Sequence, residues 1–268
     1  MAVPGITVAR IEAPGSAGRW QATAGGDPVG ELRAVLRPDR RCFVFFAGCR
    51  DDAYRPLLGA AQAALGRDLY TVVEEDDRPA RQRFAALGFT ECRHERVFRV
   101  PIEPRPLRRG VALPPGVELV SAADADLDRL RELDDALRQD IPGSSGWRWD
   151  ADGFRAETLC PELDPASYLV AVEVRTGRYL GLLRVWMNRA GPRLGCLGVL
   201  PAYRRTRITA ALVAAVAAAL HHRGHGEVVT EISADNHAAN ALLARRSAVR
   251  VGGSYELVNR YAVARSGG

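Results

Sequence analysis

The sequence predicts an α/β (α+β) chain built of two domains. Three observations carry that expectation. From Gly195 to Val249 the chain runs through an apolar strand, a basic turn, a long apolar helix, a second strand and an Asn-started helix. The first hundred residues follow the same logic in shorter form, which reads as an internal repeat. Between the two copies lies PIEPRPLRRGVALPPGV, whose prolines disfavour both helix interior and central strand. The domains are therefore expected at 1–104 and 117–268, about a Pro-rich linker at 105–116. A length of 268 residues and 47% hydrophobic content are enough for a buried core in both.

The elements follow in order. RWQATAGGDPVGELRAVL reads as a hairpin turning at Gly-Gly-Asp-Pro. RCFVFFAG is an apolar strand, and YRPLLGAAQAALG a helix stopped by Gly66. LYTVVEE is a strand. DRPARQRFAALGF is a helix with Asp77 as N-cap and Gly88 past its end, and RHERVFRVPI closes the first domain as a strand. In the second domain, Ser121-Ala-Ala-Asp124 has capping-box spacing and opens a helix with Leu127, Leu130, Leu133 and Leu137 on one stripe. Pro142 ends that region, and a short helix follows around Phe154–Leu159. SYLVAVEV and RYLGLLRVWM are strands joined at Arg175–Arg178, and VGGSYELVNRYAV supplies the last strands.

Arg204, Arg205 and Arg207 sit where the long helix begins. Helix starts expose unpaired N–H groups and the positive dipole end, and Arg meets phosphate with a planar fork of donors. Val199, Pro201, Tyr203 and Arg204, with Leu212 in the helix, resemble the acetyl-CoA motif of the GNAT N-acetyltransferase superfamily. That motif is Val-x-Pro, then Tyr-Arg, then Gln/Arg-x-x-Gly-x-Gly/Ala. Arg207 and Thr209 stand at its two small-residue positions. Asn236-x-x-Ala239-x-x-Leu242 resembles the family's second motif, Asn-x-x-Ala-x-x-Leu-Tyr-x-x-x-Gly-Phe. Leu243 replaces the Tyr that often serves as general acid, Ser247 the Gly and Ala248 the Phe.

The resemblance covers about residues 117–263 and, in reduced form, 19–101. It implies a tandem GNAT protein, each domain a mixed, mostly antiparallel sheet flanked by helices. In the first copy, Asp77, Ala80, Phe84, Gly88 and Phe89 fit the second motif. Its turn Cys49–Pro56 has no glycine and two adjacent carboxylates, Asp51 and Asp52, which repel a pyrophosphate. The first domain is therefore expected to be degenerate. The second is expected to bind acetyl-CoA as co-substrate through Leu197, Gly198, Val199, Arg204, Arg205, Thr206, Arg207, Ile208, Thr209, Ala210 and Asn236.

The resemblance implies transfer of an acyl group, acetyl above all, to a primary amine of a small molecule. Glu231, in the apolar strand VVTEISA, is the candidate general base, against a plain salt bridge to an arginine. Asp134, Asp135 and Asp140 with Trp147 and Trp149 are the candidate wall of a cationic acceptor pocket; Asp135, Asp140, Trp147 and Trp149 are the named substrate residues. His221, His222 and His225 at the end of the long helix suit its dipole better than a metal, and no metal is expected.

Composition narrows the classes. All 37 basic residues are Arg, so lysine nucleophiles, Schiff bases and P-loops are excluded. Cys42, Cys49, Cys92, Cys160 and Cys196 show no paired spacing that points to zinc or a disulfide framework. No run of membrane-spanning length and no signal-peptide pattern is present, so a cytoplasmic protein is expected. A net charge of +5 suits anionic partners, CoA or nucleic acid. An aminoacyl-tRNA-dependent transferase and a non-catalytic CoA- or ligand-binding module stay open, as does a homodimer.

Overall fold

Hydrophobic strand runs form the sheet of each of two units, with helices packed against it. A computed structural model describes residues 5–12, 15–102 and 111–261. The chain divides into two units: the residues up to His94 together with those from Ser254 on, and Glu95–Gly253. Residues 105–110 of the linker expected at 105–116 lie outside the described residues.

In the first unit, β1 (Ile6–Ile11), β2 (Gly18–Ala24), β3 (Asp27–Leu36) and β4 (Cys42–Ala47) form an antiparallel meander. The expected hairpin turns at Gly25 and Gly26, both at positive φ (63° and 97°), the twist that a two-residue connection needs. Helix α1 (Tyr54–Leu65) crosses over to β5 (Leu69–Glu74), which pairs parallel with β4. It stops at Gly66, at φ 58°, whose N–H bonds Gln62 C=O. Helix α2 (Arg78–Ala86) starts as expected on Asp77, which accepts the Ala80 N–H at 2.9 Å. Trp20, Leu32, Val44, Leu57, Leu69, Phe84 and Phe89 fill the core. The carboxylates at the degenerate turn are held by arginines: Asp52 by Arg50 at 2.6 and 2.8 Å, and Asp51 by Arg83 at 3.3 Å.

In the second unit, β7 (Val117–Ser121), β8 (Tyr168–Glu173), β9 (Arg178–Asn188) and β10 (Gly191–Val199) form the meander. Helices α3 (Leu127–Arg138) and α4 (Ala151–Thr158) lie between β7 and β8 in sequence. Helix α5 (Ile208–His222) crosses from β10 to β11 (Glu227–Ser233), again the parallel pair, and α6 (His237–Ala244) follows. Each unit is thus a mixed, mostly antiparallel sheet with helices, as expected. Strands β1 and β7 were not foreseen; their short runs carry too little periodicity.

Two details depart from the sequence reading. The N-cap of α3 is Asp126, which accepts the Asp128 and Arg129 N–H groups at 3.0 Å each. Ser121 ends β7 instead; its hydroxyl accepts the Ala123 N–H and its C=O the Asp124 N–H, closing a turn. A carboxylate one residue ahead of the apolar stripe wins over a hydroxyl six residues ahead. The terminal strands are also divided between the units, at His94/Glu95 and Gly253/Ser254. Strand β6 (Thr90–Pro101), expected to close the first domain, places residues 95–101 antiparallel to β11 in the second unit. Strand β12 (Val249–Asn259) places residues 254–259 antiparallel to β5 in the first. An apolar strand pattern specifies a buried face but not which edge it completes.

Candidate active site

The site forms where β10 and β11 part. Their parallel pairing consists of Arg193↔Val229 and Leu194↔Thr230 and ends there. At the same point β10 has a bulge: its partners on β9 jump from Leu194↔Val185 to Cys196↔Arg184, leaving Gly195 unmatched. Glycine is required there, because a Cβ on Gly195 would lie 1.8 Å from the Trp186 ring. Beyond the bulge, Leu197–Val199 keep β9 on one side, and the other edge faces the cleft between the diverging strands. Such an edge needs hydrogen-bond partners. Val199 is buried, and Gly198 lets Leu137 of α3 pack against the strand: a Cβ there would stand 3.1 Å from the Leu137 methyls.

The strand then enters a 3-10 turn, Pro201–Tyr203, and the basic loop. Arg204 bridges two elements. Its Nε donates to Val199 C=O at 3.2 Å and its guanidinium pairs with Asp140. Arg205 has φ 70°, a left-handed conformation that costs a side chain about 1–2 kcal/mol. Thr206 Oγ1 donates to Tyr203 C=O at 2.6 Å. Arg207 is the N-cap residue of α5, at φ −79°, with no side-chain cap. The first helical bond is Ala211 N–H to Arg207 C=O at 2.9 Å, so the N–H groups of Thr209 and Ala210 precede it at the positive end of a 15-residue helix. The family's glycines are therefore not needed for backbone shape here: Arg207 occupies an ordinary conformation, and the position at positive φ is 205. Arg204, Arg205 and Arg207 are all exposed.

Ile208 presents its backbone rather than its side chain to the turn. Its side chain is fully buried with Leu212, Val216 and Leu220, and only its N–H turns to the loop, toward Thr206 Oγ1 at 3.4 Å. Asn236 caps α6, accepting the Ala239 N–H at 3.1 Å. Leu243, at the position of the family's general acid, is buried.

Glu231 stands one residue past the last paired position, at the vertex of the cleft. The burial expected for it is not found: its side chain is 42% exposed and accepts from Arg193 at 2.7 Å. Arg193 in turn lies 5.7 Å from the Trp186 ring. Alternation explains the error. Val228, Thr230 and Ile232 share the more buried face of β11, and Glu231 takes the other.

The acidic and aromatic candidates resolve into two groups. Asp134 has no exposed side-chain surface; it accepts from Arg138 Nε at 2.5 Å and from the Trp149 indole at 3.1 Å. Asp135, also buried, accepts the Trp149 backbone N–H at 3.1 Å. Trp147 stacks edge-on against Trp149 at 5.3 Å, with Arg138 5.0 Å from its ring. Asp134, Asp135, Trp147 and Trp149 thus pin the loop after α3 onto that helix and do not form an open cationic pocket. Asp140 stands apart, on Arg204. Sequence spacing did not single out Asp134 from its neighbour; the i, i+4 relation of Asp134 to Arg138 is the signal that finds it.

Burial, opposed by the Trp149 N–H and reinforced by Asp134, raises the Asp135 pKa. The folded protein therefore holds the Asp135 proton more tightly than the unfolded chain. Between the unfolded and folded pKa values, stability falls as pH rises, and it stays reduced above the folded pKa. Asp135→Asn keeps an acceptor for Trp149 and removes the charge. It is expected to be more stable than wild type at pH 7, with the difference vanishing below pH 4. Urea melts at both pH values read this; an equal effect at both refutes it.

Residues 130–247 match the acetyltransferase (GNAT) family. These residues form a GNAT domain. The match contains the bulged strand, the basic turn and both following helices. The fold of the whole chain is similar to that of a tandem GNAT protein from the clavulanic acid biosynthesis pathway, at 18% identity and TM-score 0.66, covering 98% of this chain and 86% of that one. It is also similar to a GCN5-related N-acetyltransferase from Sphaerobacter thermophilus, at 15% identity and TM-score 0.65, covering 94% and 83%. A third, from Kribbella flavida, shows 16% identity and TM-score 0.54, covering 97% and 90%. No curated protein matches the sequence. The match over residues 130–247 supports acyl-CoA-dependent N-acyl transfer in general. Among the described residues no cluster suits a metal ion, and no helix is long and apolar enough to cross a membrane.

Proposed function

We infer that the GNAT domain binds acyl-CoA, acetyl-CoA being the donor the resemblance implies, and acylates the primary amine of a small molecule. The observation that carries this is the parting of β10 from β11 at Leu194, directly ahead of a helix start flanked by Arg204, Arg205 and Arg207. In this reading the edge of Leu197–Val199 that faces the cleft bonds the pantetheine amides. The N–H groups at Thr209 and Ala210, with Arg205 and Arg207, hold the pyrophosphate, Thr206 lines the turn, and Asn236 flanks it from α6. A backbone N–H near Val199 polarises the thioester carbonyl. The amine nitrogen attacks that carbon, its proton passes through water to Glu231, and the C–S bond breaks. The thiolate takes its proton from solvent, since Leu243 offers none. Asp140 is the acidic residue next to the turn that an amine meets. As sequence domains we keep 1–104 and 117–268 about the 105–116 linker, the first serving as scaffold and the protein working in the cytoplasm.

Calorimetric titration with acetyl-CoA tests the reading. Wild type is expected to show one site. Arg204→Ala/Arg205→Ala is expected to weaken it by about tenfold or more, the loss of charge-assisted hydrogen bonds. Arg205→Gly suits φ 70° and loses the guanidinium without disturbing Arg204, so it separates phosphate contact from turn geometry. Two sites would mean that the first unit also binds. No binding would remove the acyl-CoA reading and bring forward the aminoacyl-tRNA alternative, which a gel shift with charged tRNA reads. Tight binding without turnover on an amine panel would favour the non-catalytic module, which the buried Leu243 already suits.

A further inference from the structure

Under the sheet of the second unit lies a cavity of about 230 Å³. It starts at Leu194 and Leu197, the two side chains that straddle the Gly195 bulge, and Val228 of β11. It then follows one face of α5 past Ala214 and Ala217 to Leu220. From its first α5 residue, Ala210, to Leu220 is ten residues, a rise of roughly 15 Å. Alanine where a core helix would carry larger side chains is what leaves the space open. Leu242, Leu243 and the exposed Arg246 close the α6 side, and Arg246 is the only charged residue in the lining among the described residues.

The chemistry of this lining selects its occupant. A cationic amine entering it would lose its hydration and meet no carboxylate, so it is not an acceptor pocket. The cavity adjoins Leu197, on the strand edge assigned to the pantetheine amides, two residues from the Val199 position assigned to the thioester. A run of roughly 15 Å along α5 has the length for an unbranched chain of about eight carbons. We propose that it receives the acyl chain of the donor, and that the preferred donor carries an unbranched acyl group near eight carbons rather than acetyl. This rests on the reading of the GNAT domain as an acyl-CoA site and extends it to the donor's chain.

The test is a calorimetric series on the full chain with CoA, acetyl-, butyryl-, hexanoyl-, octanoyl- and palmitoyl-CoA. Each methylene buried is worth roughly fourfold in affinity. Octanoyl-CoA is expected to bind about 100-fold or more tighter than acetyl-CoA, with no further gain at palmitoyl. Ala214→Phe fills the cavity and is expected to abolish the gain while leaving CoA itself within about twofold; Ala217→Phe does the same from the next turn, should the first variant fold poorly. Affinity independent of chain length in wild type overturns the inference and leaves the acyl-CoA reading standing. Equal weakening of CoA and octanoyl-CoA by the filled variants also overturns it, because the cavity then holds pantetheine. Failure of CoA and every thioester to bind removes both.

Discussion

Asp134→Ala is expected to destabilise the second unit by about 3–5 kcal/mol, the cost of leaving a buried partner charge unpaired. Asp134 has no exposed side-chain surface, and its two oxygens serve both the Arg138 guanidinium and the Trp149 indole. Removing it leaves a guanidinium that is itself only 12% exposed. The same change frees the loop of Trp147 and Trp149, which is otherwise tied to α3 through Asp134 and Asp135. Urea unfolding followed by tryptophan fluorescence reads both effects, since two of the four tryptophans sit in this loop. Asp134→Asn keeps the acceptor for the indole and is expected to recover part of the loss. A loss below about 1 kcal/mol for the alanine variant would show that Arg138 finds another partner and that the network is not what fixes the loop.

Glu231→Gln is expected to lower kcat by about 100-fold with little change in acyl-CoA affinity, the loss typical of one general base. Once an amine from the panel turns over, steady-state kinetics and calorimetry separate the two quantities. The exposed pair with Arg193 contributes at most about 1 kcal/mol to stability, so the variant keeps its fold. Unchanged kcat would take the base role from Glu231 and leave it as a surface salt bridge. Loss of acyl-CoA affinity instead would place its carboxylate among the donor-binding groups.

Features specified by neighbours in the sequence were legible in advance. Asp77 and Asn236 cap their helices because a short polar side chain reaches N–H groups three residues ahead. Gly66 ends α1 and Gly25–Gly26 turn the hairpin because these positions need positive φ, which glycine adopts freely. The strand, basic turn and helix of the acyl-CoA motif were visible for the same reason. Their residues lie within one continuous stretch, and the turn's shape is set by its own dihedrals.

What only the tertiary structure decided depends on faces and edges. Glu231 looked buried among valines, but a single-residue alternation put it on the solvent side with Arg193. Asp135 and Trp149 looked like a ligand wall; packing against α3 made them a clasp. The last strand was read with the domain that precedes it, yet residues 254–259 of β12 pair with β5 and residues 95–101 of β6 pair with β11, because backbone pairing carries no label for its partner. The cavity along α5 was equally hidden: an alanine stripe becomes space only where two strands above it diverge. Sequence by itself determined most of the elements, the caps of α2 and α6 and the family of the second domain, all short-range consequences of side-chain chemistry. Which groups meet, which are buried and what room is left between them are long-range properties that exist only once the sheets have formed.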